Sequence, residues 1–436
     1  MSRLLAGGFE AYAVGGCVRD SLIEKIPHDW DIATSAHPEE ISACFPGERV
    51  IPTGVKHGTV TVMFWGEPYE ITTYRTDGRY SDGRRPDSVT FTHSIREDLA
   101  RRDFTVNAMA ADINGSVIDH FCGIEDLRDG LIRCVGKAEI RFDEDALRIF
   151  RCVRFAAALD FSIEEKTATA MVKLRQRLDF VARERIREEL CAALMGDGFK
   201  RVFLGWPKIM LQIIPEFAST INFDQRTPYH HLDVWGHILT AVQLAEKDLT
   251  VRLAMLFHDI GKPMAFTVDE KGIGHFKGHE EKSSVLAETI MRRLRFPGDL
   301  ISQVKILIRY HGVSLEPTER TALRWLNRLG EYTMRRLMQV KMADTLAHAP
   351  EHYEPRLKRN ETFSRLMEQT IAAKACFSLS RLAVSGNDLI QAGYPEGSGI
   401  GKSLNMLLDK VVDSALENDK EVLIGYLLRV YPPPGK

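Results

Sequence analysis

Asp29 and Asp31 stand one residue apart, a short step beyond Gly15-Gly16-Cys17-Val18-Arg19-Asp20. Successive strand residues point to opposite faces, so a strand through Asp29-Trp30-Asp31-Ile32-Ala33 aims both carboxylates at one spot. Two converging anions repel unless a cation lies between them, and hard oxygen ligands suit Mg²⁺. Gly15-Gly16 follows the apolar strand Tyr12-Ala13-Val14 and carries Arg19 behind it. Backbone N–H groups at such a turn, with a guanidinium, make a phosphate cradle. A second strand, Tyr69-Glu70-Ile71-Thr72-Thr73-Tyr74, follows the Gly66-Glu67-Pro68 turn and brings Glu70 in as a third carboxylate. Asp-x-Asp alone is common on solvated loops. Its coupling to the glycine turn points to metal-dependent phosphoryl or nucleotidyl transfer.

Further along come Arg101-Arg102-Asp103-Phe104-Thr105-Val106-Asn107-Ala108 and then Glu144-Asp145-Ala146-Leu147-Arg148. With these four ordered motifs, residues 10 to 200 resemble the class II tRNA nucleotidyltransferases, the family of bacterial CCA-adding enzymes and poly(A) polymerases. The resemblance implies that Arg102 holds phosphate, Asp103 accepts from a sugar hydroxyl, Asn107 fills a motif position, and Arg151 and Arg154 extend toward the triphosphate. It also assigns base choice to Asp145 and Arg148, and hydrogen-bond chemistry agrees. Cytosine and adenine both present an amine beside a ring-nitrogen acceptor, so a carboxylate and a guanidinium satisfy either. Uracil and guanine present the reverse pattern and leave both protein groups unpaired, which costs a few kcal/mol. A helix starting near Asp143 is expected to set Glu144, Arg148 and Arg151 in a narrow arc, with Asp145 and Arg154 flanking it. The polar, glycine-bearing segment 77–87 matches a loop that, in the family, helps switch from C to A addition, and its presence favours full CCA addition.

A second constellation follows. Leu253-Ala254-Met255-Leu256-Phe257-His258-Asp259-Ile260-Gly261-Lys262 resembles the HD phosphohydrolase signature, with His237 placed 21 positions before His258. His279, His311 and Asp344 follow in the expected order. Imidazoles and carboxylates gathered in a helical bundle suit one or two divalent transition metals. The resemblance implies phosphatase or phosphodiesterase activity in some members.

The elements that must position these groups divide the 436 residues. Short alternating strands with glycine and proline turns run to about residue 135, giving a small α/β nucleotidyltransferase head with a mixed sheet and helices. Helical periodicity then takes over, as in Ala146-Leu147-Ile149-Phe150-Val153-Phe155, giving an all-α body that includes an HD-type helical domain. The expected division is a head over 1–135, a helical neck that binds RNA and selects the nucleotide over 136–215, an HD domain over 216–350 and a helical tail domain over 351–436. Gly196 to Pro228, rich in punctuation, reads as a joint.

Hydrophobic content of 44% and charge of 27% are those of a globular chain. No stretch has the length of a membrane span and no apolar signal core follows the N-terminus, so no membrane is expected. Seven cysteines without tight pairs imply reduced thiols and a cytoplasmic location. The net charge of −2 does not announce a nucleic-acid binder, but residues 291–340 hold ten Arg/Lys against four acids. Arg320, Arg324 and Arg328 recur every four residues, either as a stripe that neutralises phosphates or as a solvated face paired with acids elsewhere. The resulting expectation is addition of C, C and A to tRNA from CTP and ATP. A poly(A) polymerase, a partial CC- or A-adding enzyme, and an HD phosphohydrolase with an RNA-binding head remain as alternatives.

Overall fold

The computed structural model describes residues 1–78 and 88–433 and resolves the chain into two compact units. The first comprises residues 1–218 with 293–295, and the second comprises 219–292 with the chain from 296 onward.

The first unit opens on β1 (Ala11–Val14), β2 (Asp31–Thr34), β3 (Arg49–Gly54), β4 (Thr59–Phe64) and β5 (Glu67–Thr73). A two-stranded ribbon, β6 (Arg75–Asp77) with β7 (Val89–Phe91), precedes β8 (Met109–Ala111) and β9 (Val117–Asp119). Seven of these form one mixed sheet in the order β3-β4-β5-β2-β1-β8-β9. Only β2 and β5 pair in parallel; the other ladders are antiparallel. Alternation explains the strands that the sequence announces. In β4 (Thr-Val-Thr-Val-Met-Phe) Val60 and Val62 are buried while Thr59 and Thr61 are not. The sheet separates two apolar clusters, one around Ile41, Val60, Val62 and Ile71 and the other around Val14, Ala33, Tyr74 and Leu99. Ile32 packs on the first and Ala33 belongs to the second, as neighbours along a strand must.

Helices complete this unit, among them Gly16–Leu22, Ala138–Glu144, Leu147–Leu159 and Arg183–Leu194. The expected single helix from Asp143 is instead two. Asp145 is extended (φ −137°, ψ 105°), and its Oδ1 accepts the Leu147 N–H to cap the second helix. The boundary between the two units, after Ala218, falls inside the expected joint Gly196 to Pro228. The first part of that span is nonetheless helical, as Phe199–Gly205 and Pro207–Ile213, with Pro207 in the first turn of the second helix.

The second unit is helical apart from a short ribbon, Thr267–Val268 against Gly274–His275. Leu249–Phe257 is buried at every position from Thr250 onward, so it lies at the core of the bundle. Glu319–Leu346 is interrupted at Gly330 (φ 75°, ψ 163°), where the chain leaves helical geometry. No helix among the described residues is long and apolar enough to cross a membrane. All seven cysteines are free thiols.

Candidate functional site

In the first unit β1 runs into the Gly15 turn and the helix Gly16–Leu22, and β2 lies beside β1. These edges frame a cavity of about 690 Å³. Gly15, Gly16, Arg19, Asp29, Asp31, Arg102, Asp103, Asn107, Asp145, Arg148, Arg151 and Arg154 all line it. Every residue that the sequence assigned to nucleotide or metal in the head is therefore gathered there except Glu70. Glu70 stands directly opposite Asp31 in the parallel β2–β5 pair, but it is exposed and lies outside the cavity lining. Asp29 precedes β2 rather than lying within it, so the two carboxylates meet at the mouth of the strand. Partial desolvation pushes the Asp31 carboxyl above its ordinary value, Arg102 pulls it down, and Asp29 pushes it up again.

Gly15 has φ +79°, and a Cβ there would sit 2.7 Å from Arg102 Nη1. Only glycine both adopts that backbone and lets the guanidinium close over it. The Gly15 N–H donates to the Met109 carbonyl, so the cradle falls to the N–H groups that open the next helix. Arg102 Nε is buried without a hydrogen-bond partner among the described residues, and its nearest carboxylate oxygen, Asp98 Oδ2, is 3.5 Å from Nη2. That leaves a cation with capacity for a ligand anion.

The remaining groups are wired to one another. Arg19 donates to Asp20 (2.8 Å) and to Asn107 Oδ1 (2.6 Å), and Asn107 donates to Asp103 Oδ1 (3.1 Å). Arg151 donates to Asp103 Oδ2 (2.8 Å), and Glu189 takes both Arg151 (3.3 Å) and Arg154 (2.9 Å). The Arg154 guanidinium also stacks 3.6 Å over the Phe155 ring. Burial alone would raise the Asp103 carboxyl, but Arg151, Arg148 and the Asn107 amide hold it down at about 2.

Asp145 and Arg148 share the cavity but not an ion pair. Arg148 pairs with Glu144 (2.6 Å) and donates to the Arg101 carbonyl (3.0 Å). Arg185 grips Asp145 with two bonds, Nη1 to Oδ1 at 3.2 Å and Nη2 to Oδ2 at 2.7 Å. Sequence reasoning missed Arg185, Glu189 and Asp20. Glu189 carried a readable signal, a charge within the buried stripe of Ile186, Leu190 and Ala193. Arg185 carried none, since it sits among other arginines on a charged helix.

In the second unit His237, His258, Asp259 and Asp344 converge, and Asp259, His279 and His311 form an adjoining group. Asp233 caps the helix that carries His237 by accepting the Gly236 N–H (2.7 Å). Each imidazole faces a backbone carbonyl through Nδ1: His237 to Ala347 (3.2 Å), His258 to Met255 (2.7 Å), His279 to Phe276 (2.8 Å) and His311 to Ile308 (2.6 Å). Carbonyls only accept, so each neutral ring carries its proton on Nδ1 and presents a lone pair at Nε2. Yet the Nε2 atoms face each other, His237 to His258 at 3.2 Å and His279 to His311 at 3.3 Å. Asp259 is fully buried between them, its Oδ2 2.7 Å from Lys262 Nζ and 3.1 Å from His258 Nε2, and its Oδ1 3.2 Å from His279 Nε2. Lone pairs and carboxylates gathered in this way call for cations, with carbonyl-oriented imidazoles as ligands. Burial pushes His258 down, but Asp259 and Asp344 outweigh it and raise it to about 9.

The basic stripe resolves as a paired face. Arg324 meets Asp413 (2.6 Å), with Arg320 at 3.8 Å, and Arg328 lies over the Tyr310 ring. Segment 79–87, the greater part of the expected loop, lies outside the described residues.

The head so defined is that of a nucleotidyltransferase. Residues 11–133 match the poly A polymerase head domain, 160–205 the probable RNA and SrmB-binding site of polymerase A, and 281–427 a putative tRNA nucleotidyltransferase domain 2. Over 427 residues the chain is 35% identical to the CCA-adding enzyme of Lactobacillus helveticus, covering 96% of this chain and 93% of that one. It is 45% identical over 256 residues to the CCA-adding enzyme of Leuconostoc mesenteroides, covering 57% of this chain and 63% of that relative. The crystal structure of the Bacillus stearothermophilus CCA-adding enzyme in complex with CTP superposes with a TM-score of 0.71 at 30% identity, over 98% of this chain and 95% of that one. The chain belongs to the family of CCA-adding enzymes.

Proposed function

We propose that this protein adds C, C and A in turn to the 3′ end of tRNA, using CTP and ATP and no nucleic-acid template. The observation that carries this reading is the single cavity that gathers the carboxylate pair, the phosphate-facing arginines and the Asp145–Arg148 base readers. In the reaction the tRNA 3′ oxygen bonds the α-phosphorus and the bond to pyrophosphate breaks. Asp29 and Asp31, crowded anions at the mouth of β2, suit Mg²⁺, which supplies charge neutralisation and an activated 3′ hydroxyl when bound. Arg102, Arg151 and Arg154 hold the triphosphate, with Arg19 set behind the glycine turn. Asp103 accepts from the ribose hydroxyl, with Asn107 holding its other oxygen. Asp145 accepts from the amine of C or A, Arg148 donates to the ring nitrogen, and Arg185 fixes the Asp145 carboxylate for that task. Glu70, opposite Asp31 on the neighbouring strand and outside the cavity lining, is proposed as a flanking third carboxylate.

The four-part division of the chain assigns chemistry to residues 1–135, nucleotide selection and RNA contact to 136–215, metal binding to 216–350 and a helical tail to 351–436. The imidazole geometry supports an HD-type centre for divalent transition metals, with phosphohydrolase chemistry as a second activity. Free thiols throughout favour the cytoplasm.

The test is to incubate the protein with tRNA lacking CCA and with each nucleotide singly and in combination, then size the products. CTP alone gives two added residues, CTP with ATP gives three, and UTP or GTP gives none. A long run of A from ATP alone would mean a polyadenylating enzyme.

A further inference from the structure

The metal cluster opens into a cavity of about 620 Å³, within the range that takes a nucleotide-sized ligand. One wall comes from the helix Pro350–Ala372, where His352, Arg356 and Arg359 recur at i, i+4 and i+7 and all reach the cavity. Arg356 is already committed. Its Nη2 donates to the metal-facing Asp344 Oδ2 (2.5 Å), and its Nη1 lies 3.3 Å from His348 Nε2. His348 turns its Nδ1 to the Asp344 carbonyl (2.7 Å), so its Nε2 is an acceptor that Arg356 can fill. Arg359 is different. It is half-buried, lines the same cavity one helical turn from Arg356, and makes no hydrogen bond or ion pair among the described residues.

An unpaired guanidinium in the wall of a cavity that also holds a cation-binding cluster suits a planar or tetrahedral oxyanion. Among the described residues, the carboxylates that line the cavity do not take that role. Asp344 is held by Arg356, Asp259 by Lys262 (2.7 Å), and Glu280, which also lines the cavity, lies 3.5 Å from His279 Nδ1. Tyr353 and Phe276 supply apolar surface for a ring attached to the anion.

We infer that Arg359, with Arg356 behind it, is an anion subsite beside the metal cluster and takes the phosphate group of a nucleotide-sized ester. That ester is a free nucleotide or the terminal nucleotide of an RNA. The inference rests on the metal-centre reading and adds to it the residue that recognises the ligand. Arg356 links the two, since one guanidinium touches both a metal ligand and the anion wall.

The experiment uses the full-length protein loaded with Mn²⁺, its metal content measured, and titrated calorimetrically with inorganic phosphate. The same titration on the His258→Ala, Asp259→Ala variant gives the heat from phosphate bound elsewhere, which is subtracted. Arg359→Met should keep its metal and bind phosphate about tenfold or more weakly, the loss expected for one charge-assisted contact. Arg359→Lys should fall between, and it decides the matter if the methionine variant does not fold. Competition by a nucleoside 3′-monophosphate against a short RNA ending in phosphate then tells the two sources apart. Unchanged phosphate affinity in a metal-loaded Arg359→Met protein would overturn the subsite and leave the metal centre standing. A wild-type protein that takes up no metal would overturn both.

Discussion

Replacing Arg185 by Met isolates a contact at the base-reading end of the site that the sequence does not suggest. Asp145 is 9% exposed and holds three bonds, one from the Leu147 N–H and two from Arg185. Hydrogen bonds to a charged partner contribute about 1.5–3 kcal/mol. Without Arg185 the carboxylate keeps only the backbone bond to one oxygen, and its orientation toward the base is no longer fixed. If that orientation carries base selection, the kcat/KM ratio for CTP over UTP should fall by about 10- to 100-fold. Arg185→Lys, which keeps the charge but not the two-pronged grip, should lose selectivity to a smaller degree. The assay is single-nucleotide addition to tRNA lacking CCA, run with each nucleotide across a concentration series, alongside thermal unfolding. Earlier unfolding is expected from the lost bonds; a variant that slows all nucleotides equally while the ratio holds would refute the reasoning and make Arg185 a purely structural partner.

Gly15→Ala strains a left-handed backbone and pushes Cβ toward Arg102, so KM should rise for CTP and ATP alike with their ratio unchanged. Asp103, held at about 2 by its arginines, contributes stability above the ordinary carboxylate pKa that is lost as pH falls from about 4 through 2. The depression amounts to about 2 kcal/mol, so Asp103→Asn should unfold in less urea than wild type at pH 7, with the gap closing near pH 2. Changing His258 and Asp259 together to Ala should abolish transition-metal binding and any phosphohydrolase activity while leaving CCA addition near wild type. A folded double variant unable to extend tRNA would show that the two centres are coupled.

How far the sequence could be read depended on whether the signal was local. The sequence alone reads strands over Thr59–Phe64, which alternates, and Val117–Asp119, which is bracketed by turns, and β4 and β9 keep those limits. Met109–Ala111 escaped notice because Met-Ala-Ala has no β-branched residue, and only its place between β1 and β9 makes it a strand. The break at Asp145 was also illegible: the apolar periodicity runs on through Leu147, and the cap that splits the helix is a side-chain choice. The imidazoles could be collected from spacing and order, but the Nε2 atoms that face one another required coordinates. Arg185 is the clearest limit, since a contact between residues 145 and 185 leaves no trace in either segment's own pattern.

The most direct measurement concerns Asp31. Asp31→Ala, given tRNA lacking CCA with CTP and ATP, should bind the tRNA as wild type does yet add neither C nor A, because one carboxylate pair serves both nucleotides. Addition of either nucleotide at a rate near wild type would contradict the assignment of the chemistry to this cavity.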